Sequence, residues 1–369
     1  MENLPAAFDA PTPLTVGLEE EVFLLRPDDL DLAPRAAEVL AVVGGDGRYK
    51  LELAAGQLET ATAPGATVAA AVGQLARARQ ALVERADGLV RFAGTGVHPF
   101  AAAVGVLNDG EHYRRMTAEF GDVARRQLVC ALQVHVAVGS AAAALPVYNA
   151  LRSYLPELAA LAANAPFHEG RDTGLASVRP KIAELLPRQG IPPVLSGWDA
   201  YVGELRWGAA TGQIPSARAW WWELRPHPVH GTLEVRVCDT QATVRDSAAM
   251  AAVVQCLVAR LIERHAQGED LPVAATWRIA ENRWSANRHG VHGAMADLVT
   301  GAPEPTRLRL HRLLDDLGPA ADRLGCAAEL ADAARLAGAN GADRQRALAA
   351  RHGLTGMLAQ LADTFTAAS

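Results

Sequence analysis

Apolar and polar positions alternate over residues 15–25 (TVGLEEEVFLL), and Val16, Leu18, Val22 and Phe23 mark an interior strand. Three consecutive glutamates occupy its middle, which a strand built only for packing has little reason to carry. After the Gly44-Gly45-Asp46-Gly47 turn and a short stretch to Thr62, Pro64-Gly65-Ala66-Thr67 opens a helical pattern that runs to about Phe92. A short strand is expected to end at Gly96-Val97-His98-Pro99-Phe100, and residues 127–138 (QLVCALQVHVAV) read as an apolar strand around one histidine. Helices are expected from about Ala141 to Asn164, and again near Gly197 to Thr211. Between them, Pro166 to Pro193 is punctuated by glycine and proline and reads as a long irregular loop carrying Arg171, Arg179 and Lys181. Two strands, Trp220 to Arg225 and Thr232 to Cys238, suggest a hairpin with a wide connection, and from Thr243 the pattern is helical.

Strands spread through the first two thirds and helices in the last third predict an α+β fold: a mostly antiparallel sheet with helices on one face and the other face free. No long polar linker divides the 369 residues, so the chain reads as a single domain. Its sheet-bearing part would span about 14–240 and its helical part about 241–369.

Composition narrows the function classes. With 35 basic and 41 acidic side chains, there is no electrostatic footprint for nucleic acid or an anionic membrane. No apolar run approaches the ~20 residues that span a bilayer, and Met1 to Pro13 lacks the basic cluster and apolar stretch of a secretory signal. Cysteines at 130, 238, 256 and 326 match neither a metal knuckle nor a disulfide framework. A soluble, cytoplasmic protein is expected.

The acids then carry the chemistry. Residues two apart on a strand share a face, so Glu19 and Glu21 project together and Glu20 points the other way. Glu52 and Glu59 follow in the next segment, His135 sits among apolar neighbours, and Glu234 and Arg236 share a face of a Leu/Val strand. Each has an ordinary reading: a solvated strand face, surface acids, a hydrogen-bonded core histidine, a cross-strand salt bridge. Together they put five carboxylates, one imidazole and one guanidinium on one sheet, a donor set that suits Mg²⁺ or Mn²⁺ better than zinc. Such ions commonly accompany phosphates, and an arginine beside them would offset charge on a transferred phosphoryl group. No GxxxxGK[ST] loop and no GxGxxG after a strand is present, so a nucleotide site would lie on the sheet face.

Several longer motifs carry a family resemblance: Gly17-Leu18-Glu19-Glu20-Glu21, Gly96 to Phe100, Tyr113 to Gly121, Val134-His135-Val136, Gly170 to Thr173 and Ala176 to Pro180. Arg225-Pro226, Gly231 to Thr240 and Glu281-Asn282-Arg283-Trp284 through Gly290 continue the same order along the chain. The sequence thereby resembles the carboxylate-amine ligases, or type 2 glutamate–cysteine ligases, which are similar to glutamine synthetase in their catalytic domain. The resemblance implies that Glu19, His135 and Glu234 hold one metal ion while Glu21, Glu52 and Glu59 hold another. It implies catalytic roles for Arg236 and Arg179, and ATP or substrate contacts for Arg171, Lys181, Arg236 and Arg288. The implied reaction uses ATP and Mg²⁺ or Mn²⁺ to convert a carboxylate, by default the γ-carboxylate of glutamate, into an acyl phosphate that an amine, by default cysteine, captures as an amide. Partners would be small amino acids and amines, and a homodimer is a candidate assembly. A different carboxylate and amine pair, a guanidino-kinase-like phosphotransferase and a non-catalytic nucleotide-binding homologue are the alternatives. Two features depart from the family pattern. Gln133 and Ala137 stand where relatives often have histidine and glycine, and Trp220-Trp221-Trp222 gathers three of the seven tryptophans, with Trp220 and Trp222 expected on one face.

Overall fold

A computed structural model describes residues 4–212, 214, 216 and 219–367. The first three residues of the N-terminal segment and the last two of the helical tail lie outside the described residues. Thirteen α-helices and eleven strands follow one another among the described residues. The sheet-bearing part runs β1 (Val16–Leu25), α1 (Ala36–Val42), β2 (Tyr49–Leu51), β3 (Gln57–Ala61), α2 (Val68–Arg85), β4 (Arg91–Ala93), α3 (Glu111–Phe120), α4 (Asp122–Arg125), β5 (Ala131–Ala137), α5 (Ala141–Leu151) and α6 (Leu155–Ala162). It continues through β6 (Phe167–His168), β7 (Arg171–Asp172), α7 (Arg179–Ala183), α8 (Trp198–Ala210), β8 (Leu224–His227) and β9 (Thr232–Asp239). The remainder comprises α9 (Val244–Ala266), α10 (Thr276–His289), β10 (Ala294–Ala296), β11 (Pro303–Pro305), α11 (Thr306–Leu324), α12 (Ala327–Gly338) and α13 (Gly341–Asp363).

The main sheet has the order β2-β3-β1-β5-β9-β8, with β4 pairing β1 beyond the end of β5, and its pairings are antiparallel. Val16, Leu18, Leu132, Val134, Val136, Leu233 and Val235 are buried from one face into a core that also takes α5, α6 and α9. Hydrophobic burial supplies the driving force there, and the long α9 lies almost wholly inside it. Capping sets where the helices begin: the side chains of Thr67 and Thr243 accept the backbone N–H of Ala70 and Asp246 at the starts of α2 and α9.

The middle glutamate of β1 serves this packed face. Glu20 and Arg79 of α2 form a bidentate pair at 2.7 and 2.8 Å, with neither side chain exposed. Arg79 also donates to the carbonyls of Gln241 and Phe365, and Ser247 of α9 donates to Glu20. The pair therefore ties the central strand to two helices and to the C-terminal segment.

Several local expectations shift. The helical pattern expected to reach Phe92 stops at Arg85, because Gly88 takes a positive φ of 72° and Arg91 to Ala93 then pair with β1. Residues 96–100 contribute only a bridge between Val97 and Val129, since His98 turns to the Leu30 carbonyl and proline cannot donate to a ladder. The first hairpin strand begins at Leu224, so Trp220 to Trp222 precede it. Within the long loop, β6 pairs β7 and α7 forms one turn, while the helical tail is interrupted by the β10–β11 ladder. No described helix is long and apolar enough to cross a membrane.

Arg79→Leu leaves a buried carboxylate uncompensated and is expected to destabilise the protein by about 3–5 kcal/mol. The double variant Glu20→Leu/Arg79→Leu should recover most of that loss in chemical denaturation; equal loss in both would show that the ion pair is not the cause.

Candidate metal and nucleotide site

The register of the sheet, more than any single motif, assembles the site. Directly opposed residues share a face, and the pairs Glu21↔Glu59, Glu19↔Gln133, His135↔Glu234 and Arg225↔Glu234 put seven polar side chains on the face away from the α5–α9 core. Gln133 faces two residues of β9, because the pairing slips between Leu132 and Val134, and this bulge sets Arg236 beside it. Glu52 comes from the turn after β2, which is braced by Asn108: its side chain donates to the Glu52 carbonyl at 2.8 Å and its N–H to that of Leu53.

Two clusters result. Ligand atoms of Glu19, His135 and Glu234 lie within 4.8 Å of one another, and so do those of Glu21, Glu52 and Glu59. In the first, His135 Nδ1 bonds Thr232 Oγ1 at 3.0 Å, which fixes the ring. Its Nε2, 3.7 Å from Glu19, is buried without a hydrogen bond. An imidazole nitrogen held in this way between two carboxylates fits a metal ion. In the second cluster Glu21 accepts from the Ala131 N–H and from Gln133 Nε2 at 2.7 and 2.8 Å, and Lys50 pairs with Glu59 at 2.8 Å. Arg236 stands between the clusters, donating to Glu234 and to the side-chain amide oxygen Oε1 of Gln133.

The electrostatics differ between the two. Burial opposes ionisation of Glu234, but Arg236, His135 and Arg225 outweigh it and hold the carboxyl below the usual carboxylate range. Burial likewise pushes Glu19 up, but the adjoining His135 brings it down to about 2. In the second cluster burial dominates, lifting Glu21 to about 7 against the pull of Arg236 and raising Glu52 as well, with the charges of Glu21 and Glu59 adding to it. Three carboxylates with too little positive charge form a second place that a divalent cation would suit.

The remaining expected residues fall differently. Arg179 is buried, its Nε 2.7 Å from Asp239 and its Nη2 2.6 Å from the Val237 carbonyl, yet it lines a small polar cavity with Glu21 and Arg236. Lys181 pairs with Glu184 and lies over the Trp284 ring, Arg288 donates to the Gly174 carbonyl, and the exposed Arg171 is 3.6 Å from Glu169. None of these three lines the cavities at the clusters. Conversely, the bridging role of Gln133, the pairing of Arg225 with Glu234 and the Lys50–Glu59 pair were not anticipated. Alternation in Tyr49-Lys50-Leu51 and Leu224-Arg225-Pro226 carries a signal for the last two.

Comparison with known proteins gives the chain's relatives. The model of "Glutamate-cysteine ligase family 2" matches residues 15–363. A protein of Rubrobacter xylanophilus, provisionally named a glutamate–cysteine ligase, is 39% identical over 356 residues, covering 94% of this chain and 95% of its own. One of Frankia alni, provisionally named likewise, is 34% identical, covering 97% and 95%. Among solved structures, the glutamate–cysteine ligase of Francisella tularensis in complex with AMP has a TM-score of 0.69 at 12% identity, covering 96% of this chain and 89% of that one. The bifunctional glutathione synthetase of Pasteurella multocida scores 0.70 at 15% identity, covering 99% of this chain and 53% of that one. At these identities the likeness shows a shared fold, a mixed helical and antiparallel-sheet architecture.

Because Glu21 is raised, the metal-free fold keeps a proton there that the unfolded chain releases near pH 4.5, so this group's contribution to stability falls as pH climbs toward about 7. A cation held by Glu21, Glu52 and Glu59 would take the place of that proton. The gain in melting temperature from saturating Mg²⁺ should therefore be larger at pH 8 than at pH 6 by scanning fluorimetry; equal gains would contradict a cation in this cluster.

Proposed function

Given that the chain belongs to glutamate–cysteine ligase family 2 and is an ATP-dependent ligase, we propose that the sheet face bearing the two carboxylate clusters binds ATP and activates a carboxylate for amide formation. The observation that supports this most is the placement of Arg236 between Glu19/His135/Glu234 on one side and Glu21/Glu52/Glu59 on the other. Glutamate is the carboxylate the family name gives, and cysteine the amine. The chain would act as one catalytic unit, the sheet-bearing part about 14–240 presenting the site and the helical part about 241–369 backing it.

Glu19, His135 and Glu234 would hold one divalent cation, Mg²⁺ or Mn²⁺, and Glu21, Glu52 and Glu59 another. Bound there, such ions neutralise phosphate charge and polarise the phosphoryl oxygens. At the Glu19/His135 end, a cavity of about 330 Å³ lined by Pro11, Leu18, Pro64 and His230 suits a nucleoside. At the Glu21 end, a cavity of about 100 Å³ lined by Gln127, Arg179, Gln189 and Arg236 suits a small polar carboxylate donor. The triphosphate would then run along the two clusters and bring its terminal phosphoryl group to Arg236. The guanidinium is held by Glu234 and Gln133, so it meets developing negative charge with little reorganisation. The carboxylate oxygen attacks the γ-phosphorus and ADP leaves. The amine nitrogen next attacks the acyl carbon, the C–O bond to phosphate breaks with its electron pair on phosphate, and the amine's proton passes to solvent.

With Mg²⁺-ATP and a matrix of carboxylates and amines, ADP and inorganic phosphate should appear in equal amounts only when both substrates are present. ADP without phosphate would indicate a phosphotransferase instead. Glu19→Gln and Glu234→Gln should each lower turnover by about a hundredfold or more while circular dichroism stays unchanged. Turnover retained in both would refute the metal assignment.

A further inference from the structure

The ligase reading leaves unassigned a feature on the substrate side of the site. At the second cluster, a cavity of about 300 Å³ is lined by Glu21, Glu52 and Arg236 on one side and by Tyr113, Met116 and Trp221 on the other. It shares Met116, Trp221 and His112 with a further cavity of about 690 Å³, which adds Phe120 and Arg188. The two meet at His112, Met116 and Trp221, and the larger leads away from the second cluster. Trp221 and Phe120 meet edge to face with ring centroids 5.8 Å apart. The Arg188 guanidinium covers the Trp221 ring at 4.7 Å, while its Nε donates to the Ala219 carbonyl at 3.0 Å. Arg188 does this from a left-handed backbone conformation, φ 61°, which a side chain of its kind seldom adopts unless its surroundings impose it. The indole is thus braced from outside, a preformed wall instead of a loose surface ring.

The compartments differ in chemistry. The polar cavity beside Arg179 and Gln189 is matched to a compact charged donor, and the cavity against the first cluster to a nucleoside. The compartment that adjoins the donor cavity, sharing Glu21, Gln189, Trp221 and Arg236 with it, continues past Met116 and Phe120, and its volumes are those that take drug-sized ligands. Cysteine, with its three-carbon skeleton, would leave most of this space to water and its walls unused. Resting on the ligase reading, we propose that the amine acceptor is a primary amine bearing an aromatic or extended apolar group. Its nitrogen lies toward Glu21 and Arg236, and its body lies along the wall formed by Met116, Trp221 and Phe120. Burying such a group against these walls gains transfer free energy that cysteine cannot.

The test separates this from the ligase reading by adding a small acceptor that needs no pocket. With Mg²⁺-ATP and glutamate, hydroxylamine should trap the acyl phosphate as a hydroxamate, and 2-phenylethylamine and tryptamine should show kcat/KM at least tenfold above cysteine. Hydroxamate formation with cysteine equal or superior to both arylalkylamines would overturn the acceptor proposal and leave the ligase reading intact. If glutamate, alone among the carboxylates, supports no hydroxamate, the same comparison is run with the carboxylate that does. No hydroxamate from any carboxylate would remove the ligase reading and this proposal with it. Met116, half-buried on α3, offers a second arm. Met116→Trp should narrow the compartment and lower kcat/KM for the arylalkylamine relative to hydroxylamine by tenfold or more, and an unchanged ratio would place the acceptor elsewhere.

Discussion

Like charges on neighbouring positions of one strand must each be compensated, and β1 meets this requirement twice over, once on each face. On the packed side, the Glu20–Arg79 pair is out of contact with solvent and gathers α2, α9 and the C-terminal segment around the central strand. On the other side, Glu19 and Glu21 are compensated unequally: the first by His135, the second only in part by Arg236. The remaining charge deficit is what cations and phosphates would fill. A strand that carried apolar residues at all three positions would pack as well and could not bind them.

Consistent with that division, the sheet turns its two faces to different tasks. Alternating Leu and Val positions of β1, β5 and β9 hold the helices, so the strands are rigid where the polar side chains between them need fixed spacing. Rigidity matters for Arg236, whose partners Glu234 and Gln133 sit on adjoining strands and leave its guanidinium one arrangement. Gln133 joins the two clusters through one amide, accepting from Arg236 and donating to Glu21. A residue that looked in sequence like a departure from the family pattern is thus a bridge within the site.

Much of this was legible before the structure because period-two alternation is a local property. Alternation separates Glu20 from Glu19 and Glu21, and puts Glu234 with Arg236. What alternation cannot carry is register. The pairing of Glu21 with Glu59, the slip opposite Gln133 and the brace of Asn108 on the Glu52 turn join residues far apart in the chain. The same limit applies to Arg179, whose partner Asp239 lies at the end of β9, and to the tryptophan run, which precedes β8 although the rings of Trp220 and Trp222 still lie 4.4 Å apart. The gap between Pro166 and Pro193 read as irregular because glycine and proline punctuate it. Between its short ladder and single helical turn, Gly174, Ala176 and Ser177 are held by contacts with α10 that no local pattern announces.

Cation stoichiometry bears most directly on the claim that the sheet carries two divalent-cation sites flanking Arg236. Mn²⁺ binding followed by electron paramagnetic resonance, in the presence of a non-hydrolysable ATP analogue, should count two ions per chain. Glu19→Gln should remove one and Glu52→Gln the other, independently. A single ion in the native protein, or loss of both ions in either variant, would contradict the account.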